Sequence, residues 1–209
     1  LRAAAYLGWR LPTLNELYRP FRVGADATAA NPALAPERMK GAEVGIDLTP
    51  SEGVSIRATA FTNKLTDAIG NVTLASGPGT FPGVGFVSGA YRQRLNLDAV
   101  RSHGLELDAR YALGDWALSA SYALSDARIT GTNAARALNG LRPAQVPKHM
   151  ASATLGWRTT SLTGRYVSAQ FEDDANSRRL GSTFTIDGLV AVPLSKRVSL
   201  VLRGENLAD

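Results

Sequence analysis

The sequence predicts an all-β fold: an antiparallel up-and-down transmembrane β-barrel, of which this chain supplies about nine strands. Three observations lead to this prediction. Apolar and polar residues alternate over long segments, which is the period of a strand with two unlike faces. Most of these segments reach the roughly 9–11 residues that a tilted strand needs to cross a bilayer. The connections between them alternate between long and short, as they do in bacterial outer-membrane barrels.

The strands follow from this alternation as it is read along the chain. Within residues 41–49, Val44 and Ile46 alternate with Glu43 and Gly45, so the two sets lie on opposite faces of a sheet. The same pattern recurs to the end of the chain. The predicted strands cover residues 1–8, 41–49, 54–64, 96–113, 116–124, 151–157, 162–171, 184–192 and 198–205.

Long and short connections alternate between these strands without exception. Gly, Pro, Ser and Asn are frequent in the long connection at residues 66–95, whereas Pro-Ser-Glu-Gly and Gly-Asp in two short connections suit tight turns. This alternation is typical of a sheet whose two ends face different surroundings. In outer-membrane barrels the short turns are periplasmic. The long connections are predicted over residues 10–36, 66–95, 130–145 and 172–181, and the short ones over residues 50–53, 114–115, 159–161 and 194–197.

The apolar face of the sheet is predicted to contact lipid. Tyr111, Trp116 and Trp157 lie on it close to short turns, which is the height of the aromatic girdle in a membrane barrel. Leu118 is expected near the bilayer midplane. A soluble β-sandwich is the alternative, but its strands average only about five or six residues. The predicted lipid-facing residues are Leu107, Leu118, Ala120, Leu155, Val190 and Leu200.

The polar face is predicted to line the lumen. Its arginines would attract an anionic metal chelate by focusing the electric field. Alternatively, these charges pair across neighbouring strands or meet a plug domain inside the barrel. Phe61 interrupts the polar side of its strand, so the sequence leaves its facing open. The predicted lumen-lining residues are Arg57, Glu106, Asp108, Arg110, Arg165, Asp187, Arg203 and Glu205, together with Ser119 and Ser121.

The composition excludes several classes of site and partner. The chain has no cysteine, so disulfides and thiolate metal sites are excluded. His103 and His149 are too few for a histidine metal cluster, and no catalytic spacing appears, so no metal, cofactor or enzymatic activity is predicted. The net charge of +5 is spread over many short segments, so nucleic acid is not a predicted partner. No apolar run approaches the roughly 18–20 residues of a membrane helix.

The central feature of the sequence is WRLPTLNELYRPF at residues 9–21, which is followed by NPALAPE at residues 31–37. We call residues 9–37 the organising stretch. Its prolines remove backbone donors and fix φ, so neither a strand nor a helix continues across the region, while the leucines argue against disorder. These motifs resemble the late-barrel motif of TonB-dependent outer-membrane receptors. LRGENLAD at residues 202–209 is similar to the segment that precedes that family's last strand.

The resemblance implies a barrel of about 22 strands closed around an N-terminal plug. Residues 1–209 would be the C-terminal portion of that barrel, without the plug, the early strands and the last strand. The implied location is the outer membrane of a Gram-negative bacterium. The implied partners are TonB, reached through the absent plug, outer-membrane lipid, and a small ligand such as a ferric chelate. A plugless porin and a barrel with surface catalysis are the alternatives within the membrane.

The same stretch bears on the class of ligand. Haem receptors of the family carry a Phe-Arg-Ala-Pro box, a histidine and Asn-Pro-Asn-Leu, and this chain has WRLP and NPAL with no histidine in residues 13–30. Histidine is the usual axial ligand of haem iron. A preformed chelate instead needs aromatic and cationic groups. A ferric siderophore is therefore predicted over haem, cobalamin or a saccharide, with candidate ligand-binding residues Arg10, Tyr18, Arg19, Phe21 and Arg22.

Overall fold

The computed structural model describes residues 1–208, so Asp209 of the LRGENLAD segment lies outside the described residues. No helix in this part of the chain is long and apolar enough to cross a membrane. The elements are β1 (Arg2–Arg10), α1 (Leu14–Tyr18), β2 (Phe21–Val23), β3 (Asp26–Ala29), β4 (Glu37–Leu48), β5 (Val54–Ser76), β6 (Gly79–Phe81), β7 (Gly85–Val87), β8 (Ala90–Leu113), β9 (Trp116–Thr130), a 3₁₀ helix (Asn133–Leu138), β10 (His149–Trp157), β11 (Thr160–Val167), β12 (Gln170–Phe171), β13 (Arg179–Leu180), β14 (Thr183–Ser195) and β15 (Val198–Gly204).

Nine of these strands form one continuous antiparallel sheet in the order β1-β4-β5-β8-β9-β10-β11-β14-β15. Each strand pairs with its neighbour along the chain, which confirms the predicted all-β up-and-down architecture and the predicted number of strands. The short strands β2 and β3 form a hairpin, and β3 continues the sheet by pairing with the start of β8 in parallel. The sheet has two free edges, β1 and β15, so the described residues form an open part of a barrel.

The short connections lie together at one end of the sheet, which we call the turn end, and the long ones lie at the other, the loop end. This confirms the predicted alternation. Two turns differ slightly from the prediction. The turn expected at residues 159–161 forms one residue earlier, with Arg158 at a left-handed φ of 50°. The turn expected at residues 194–197 narrows to residues 196–197 because Ser195 still pairs with Val198.

The long loop predicted over residues 66–95 is wrong in its extent. Strand β5 continues to Ser76 and β8 begins at Ala90, so the two strands form a hairpin that extends well beyond the predicted strand end. Only residues 77–89 leave the ladder, and they carry the small hairpin of β6 and β7. A left-handed Asp67 and a register shift between Thr73 and Ala75 interrupt the alternation, which hides these strands in the sequence.

Three other connections also hold structure that the alternation does not reveal. The connection after β1 contains α1, β2 and β3, and the one after β9 contains the 3₁₀ helix. The strand predicted over residues 162–171 is shorter than expected, since β11 ends at Val167. The remaining residues of that prediction include β12, which pairs with β13 to form a separate small hairpin.

The register confirms the division of the sheet into two faces. The apolar face carries the rows of side chains that include Leu107, Tyr122 and Ala151, which pair directly across β8, β9 and β10. All the predicted lipid-facing residues lie on this face, and Ser119, Ser121, Glu106 and Arg203 lie on the opposite, polar face. Both histidines lie on the apolar face, in register with Asp126 and Leu124.

Phe61, whose facing the sequence leaves open, lies on the polar face. It pairs with Glu43 on one side and with Gly104 on the other. A Cβ atom on Gly104 would lie 2.6 Å from the Phe61 ring and 2.0 Å from the carbonyl oxygen of Leu124. The aromatic ring therefore covers the backbone of β8, and glycine leaves the space for it.

The predicted midplane position of Leu118 is wrong, although its face is right. Leu118 pairs with Tyr111, close to the turn end. Because β9 continues to Thr130, the middle of this strand lies nearer the loop end than Leu118 does. The apolar part of β8 lies between His103 and Leu113, with Leu107 near its centre. A separation of about ten residues rises about 34 Å along a strand, or roughly 25 Å at a tilt of about 40°, which matches the apolar band of a membrane barrel.

The polarity of the two faces is reversed near the loop end. There Met39, Leu65, Val100 and Ile129 form one row on the polar face. Three of them pack into the main apolar core of the described chain, which the connection after β9 covers. This core consists of Ala68, Val72, Leu97, Ile129, Ala135 and Leu138, with Leu65, Leu95, Val100 and Leu141 packed against it.

Candidate ligand-binding site

The organising stretch places a short helix at the loop end. Thr13 caps α1: its hydroxyl accepts the backbone N–H of Glu16 at 3.2 Å, and the Glu16 carboxylate accepts the backbone N–H of Thr13 at 2.7 Å. This reciprocal pair is the capping box expected of Thr-x-x-Glu. The capping box fixes where α1 begins. The helix ends at Tyr18, which Arg19 follows directly.

Arg10 ties this helix to the sheet. Its guanidinium donates to both carboxylate oxygens of Glu16, at 2.9 and 3.0 Å, and its Nε donates to Glu37. Glu37 is buried, and its other carboxylate oxygen accepts the backbone N–H of Ile69 at 2.7 Å. Such bidentate, charge-assisted contacts are strong and directional. Arg10, one of the five candidate ligand-binding residues, therefore joins α1, β4 and β5.

The Arg10 guanidinium lowers the pKa of Glu16 to about 2 by donating to its carboxylate. The carboxylate is ionised more readily in the folded loop than in the unfolded one. Its contribution to the stability of the folded loop is therefore fully present above pH 4.5 and is lost as the pH falls toward 2. We expect the hydrogen-exchange protection of the Leu17 and Arg19 amides to fall over this range. Both amides donate within α1, to the carbonyls of Thr13 and Asn15.

Replacing Glu16 with glutamine removes this charge, and Glu16→Gln is expected to weaken α1 by about 1 kcal/mol, the usual contribution of a cap. Protection of the Leu17 amide should then fall about fivefold at neutral pH and lose its acid transition. Glu52→Gln, in an exposed turn at the other end of the sheet, is the control. Unchanged protection in Glu16→Gln would contradict the role of this carboxylate.

Arg94 of β8 contacts the organising stretch at several points. Its guanidinium donates to the carbonyls of Asn15 and Arg19, at 2.5 and 2.8 Å, and lies 5.1 Å from the centre of the Phe21 ring. The carbonyl of Arg94 in turn accepts from Asn31 at 2.9 Å. The guanidinium and the ring therefore form a cation–π contact, although Phe21 remains 37% exposed.

Arg22 is also committed to the fold. It donates to the carbonyls of Val84 and Phe86, which belong to the tip of the long hairpin, the latter at 2.8 Å. Tyr18, in contrast, is 65% exposed, and among residues 1–208 the Arg19 side chain has no ion pair or hydrogen bond. The structure thus brings the five candidates into one region, where three brace the loop and two present free side chains.

The predicted lumen-lining charges are divided between paired and unpaired groups. Arg57 pairs with Asp47 across neighbouring strands at 2.6 Å, which is the arrangement expected if these charges balance each other. Arg165 pairs with Asp187, and Arg203 with Glu205. In the described part of the chain, three of the eight predicted lumen-lining charges form no ion pair, namely Glu106, Asp108 and Arg110.

Hydroxyl groups fill the polar face between these charges. Ser121 and Ser152 hydrogen-bond across β9 and β10 at 2.8 Å, and Thr154 and Thr163 do so across β10 and β11 at 2.9 Å. The hydroxyls lie in the same rows as Asp108 and Asp187. The centre of the polar face is therefore neutral and hydrogen-bonding, with charge on either side of it.

A second cluster joins three long connections and was not predicted. Arg92 of the long hairpin pairs with Asp26 at 3.0 Å and lies 3.8 Å from Asp174, while Asp174 accepts the backbone N–H and the hydroxyl of Thr73 at 2.6 and 2.8 Å. We call these four residues the loop lock. The backbone N–H of Ala90, with Arg92 beside it, lowers the pKa of Asp26.

The fourth long connection joins the same assembly. Asn176 exchanges two hydrogen bonds with the backbone of Arg142, at 3.0 and 2.9 Å, and the N–H of Gln145 donates to the carbonyl of Phe171 at 2.7 Å. All four long connections therefore form one ordered assembly at the loop end, which we call the loop cap. Its free cations and aromatic rings have the chemistry to bind an anionic or aromatic ligand.

Comparison with known proteins agrees with this architecture. Residues 1–207 match the family model described as TonB dependent receptor-like, beta-barrel. The ferrichrome outer membrane transporter/phage receptor of Escherichia coli K12 is 29% identical over 205 residues, covering 93% of this chain and 24% of that protein. The iron-regulated outer membrane virulence protein of Vibrio cholerae serotype O1 is 27% identical over 167 residues, covering 78% of this chain and 25% of that protein. The chain thus spans about a quarter of these relatives.

Solved structures show the same fold. The copper transporter OprC superposes with a TM-score of 0.71 at 19% identity, over 99% of this chain and 30% of that one. The ferric yersiniabactin uptake receptor FyuA from Yersinia pestis gives 0.68 at 18% identity, over 99% and 29%. The ferric enterobactin receptor PfeA from Pseudomonas aeruginosa, in complex with enterobactin, gives 0.68 at 20% identity, over 99% and 32%.

Proposed function

Because this chain belongs to the TonB-dependent receptors, as part of their β-barrel, we propose that it serves a receptor that imports a ferric siderophore with energy supplied through TonB. Membership places the protein in the outer membrane of a Gram-negative bacterium. The proposed role of residues 1–209 is to supply the C-terminal portion of a barrel that a plug and further strands complete. Binding and gated transport, without catalysis, is the proposed chemistry.

The observation that carries the choice of ligand is the pair Tyr18 and Arg19. These residues follow one another at the end of a helix that is capped at Thr13 and braced by Arg10 and Arg94. One offers an exposed aromatic ring and the other an exposed cation with no partner in the described chain. A chelate with an anionic shell is attracted by such groups and needs no protein ligand to its metal.

The names of the similar proteins support the same class. One relative, at 29% identity, is named a ferrichrome transporter. The similar structures, which include receptors for ferric yersiniabactin and ferric enterobactin and the copper transporter OprC, are only 18–20% identical to this chain, so their likeness concerns the fold alone. A haem ligand is disfavoured because residues 13–30 contain no histidine. Cobalamin and saccharide receptors are the remaining candidates in this family.

Uptake in living cells tests the proposal. Iron-starved cells whose only receptor is the full-length protein should grow on at least one of ferrichrome, ferric enterobactin and ferric yersiniabactin. Growth should cease when TonB is deleted, which separates the receptor from a passive porin. Growth on haemin together with failure on every siderophore would overturn the siderophore proposal, and growth that survives loss of TonB would overturn active transport.

The two free side chains can then be tested for contact with the ligand. Arg19→Gln and Tyr18→Ala should each weaken binding of the accepted siderophore about threefold to thirtyfold, the range expected for one cation or ring near a ligand. Equilibrium binding to the purified full-length receptor is the measurement. Arg197→Gln removes an exposed cation at the turn end that forms no ion pair with any residue in 1–208, and it should leave the affinity unchanged. Equal affinities in all variants would remove these residues from the site.

A further inference from the structure

The organising stretch crosses the long hairpin formed by β5 and β8. It leaves the sheet after β1 and rejoins it at β4, and both of these strands lie on the β5 side of β8. Its strand β3, however, pairs with residues 91–93 of β8, whose opposite edge already pairs with β5. The strand β3 therefore lies on the β9 side of β8, so the chain passes over the hairpin to reach β3 and passes back to reach β4.

One face of the outer half of the hairpin carries this crossing. Side chains at three alternate positions of β8 contact the organising stretch, namely Arg92, Arg94 and Asn96. The Asp26 carboxylate lies 3.0 Å from the first, the carbonyl of Arg19 accepts from the second at 2.8 Å, and the backbone of Ala35 exchanges two hydrogen bonds with the third, at 2.8 and 3.0 Å. Alternate positions share one face of a strand, so all these contacts lie on the same side of β8.

The other face of this half of the hairpin is covered as well. Leu95 and Leu97 alternate with those three residues along β8 and pack in the apolar core that contains Ala135 and Leu138 of the 3₁₀ helix. A third connection reaches the hairpin near its outer end, where Asp174 accepts the backbone N–H of β5. The outer half of the hairpin is therefore held between two connections and tied to a third.

The strand β3 is itself a buried part of the fold. Residues 27–29 are each at most 3% exposed, and their backbone pairs with β2 on one edge and with β8 on the other. Segments that open locally have few buried contacts and backbone hydrogen bonds that are exposed to solvent. The strand β3 has the opposite properties, although it lies in the middle of a long connection at the loop end.

We propose that the organising stretch and the β5–β8 hairpin stay joined while the ligand binds and is imported, so that the receptor presents a preformed entrance and not a lid. To move either segment alone, the pairing of β3 with β8 and the contacts of all three alternate side chains would have to break together. A preformed entrance also removes the cost of ordering Tyr18 and Arg19 when the ligand arrives. This inference rests on the proposed import function and adds that the crossing does not open during it.

A disulfide across the crossing tests the proposal. Ala29 and Gln93 are direct partners in β3 and β8, and neighbouring strands lie about 4.8 Å apart, which suits a disulfide. The chain has no cysteine of its own. Cells whose only receptor is full-length Ala29→Cys/Gln93→Cys should therefore form the bond without ligand. They should import iron at the wild-type rate, both oxidised and reduced, with whichever of ferrichrome, ferric enterobactin and ferric yersiniabactin supports growth of the wild type.

Uptake that stops on oxidation and returns on reduction would overturn the proposal, and so would failure of the disulfide to form in the ligand-free receptor. The single variants Ala29→Cys and Gln93→Cys, treated with the same oxidant, control for effects of the reagent and should import normally. Failure of the import function itself is distinguishable, because the wild type would then import none of the three chelates.

Hydrogen exchange in the purified wild-type receptor gives a second measurement that needs no variant. The amides of residues 27–29 should exchange slowly without ligand and equally slowly with the same chelate at saturation. Faster exchange of these amides in the complex would mean that β3 leaves the sheet when the ligand binds, which would contradict a preformed entrance even if the double variant failed to fold.

Discussion

An arginine at Leu107 is expected to lower the free energy of unfolding of the complete barrel by about 2–4 kcal/mol, the cost of a cation near the bilayer midplane. Leu107 pairs with Ala58 and Tyr122 on the apolar face, near the centre of the stretch between His103 and Leu113. No acidic residue shares its row in the described sheet. Denaturant unfolding of the full-length receptor in lipid vesicles measures the change.

Ser121→Arg is the matched control, because it adds the same charge one register position away on the opposite face. Ser121 pairs with Asp108, which has no ion pair in the described chain and can accept the new cation. We therefore expect a much smaller loss of stability in this variant. Equal costs for the two variants would mean that the assignment of the apolar face to lipid is wrong.

The second large effect is expected at the loop lock. The Arg92 side chain is 16% exposed and those of Asp26 and Asp174 are 24% and 11% exposed. Arg92→Met therefore leaves partly buried Asp174 without its cation and Asp26 with only the longer contact to Arg178, at 3.8 Å. We expect the loop cap formed by the four long connections to lose about 2–4 kcal/mol of local stability. Hydrogen exchange should speed up at the amides of Thr73 and Ala90, which donate to these carboxylates.

Arg179→Gln serves as the control for this variant. Arg179 lies in β13, within the connection that supplies Asp174, and its exposed side chain forms no ion pair in residues 1–208. Its removal should leave exchange at both amides unchanged. If exchange in Arg92→Met also stays at the wild-type rate, the four connections do not depend on this cluster.

The transmembrane part of the sheet could be predicted from the sequence because its faces repeat every two residues. Val44, Leu107 and Leu155 each belong to such a pattern, and the register places them as expected. The outer half of the long hairpin could not be predicted in this way. Beyond Asp67 its faces are covered by other loops, so the simple contrast between a lipid side and a water side disappears.

The candidate site was predictable only in part. The capping box is a local signal, since Thr13 and Glu16 are three residues apart, but the sequence analysis predicted only an ordered loop here and not α1. The bracing contacts are not local. Arg94 meets Asn15 from 79 residues away, and Asp174 meets Thr73 from 101 residues away. Which arginines remain free for a ligand depends on these contacts, and a single sequence does not reveal them.

The length of the β5–β8 hairpin has a consequence for how the chain folds. Its pairs at the tip join Ser76 to Ala90, only 14 residues apart, whereas those at the base join Val54 to Tyr111, 57 residues apart. Closing a short loop loses less chain entropy than closing a long one, and each further rung adds little to that loss. The ladder is therefore able to form from the tip inward, so the half that stands in water is able to pair before the half that requires lipid.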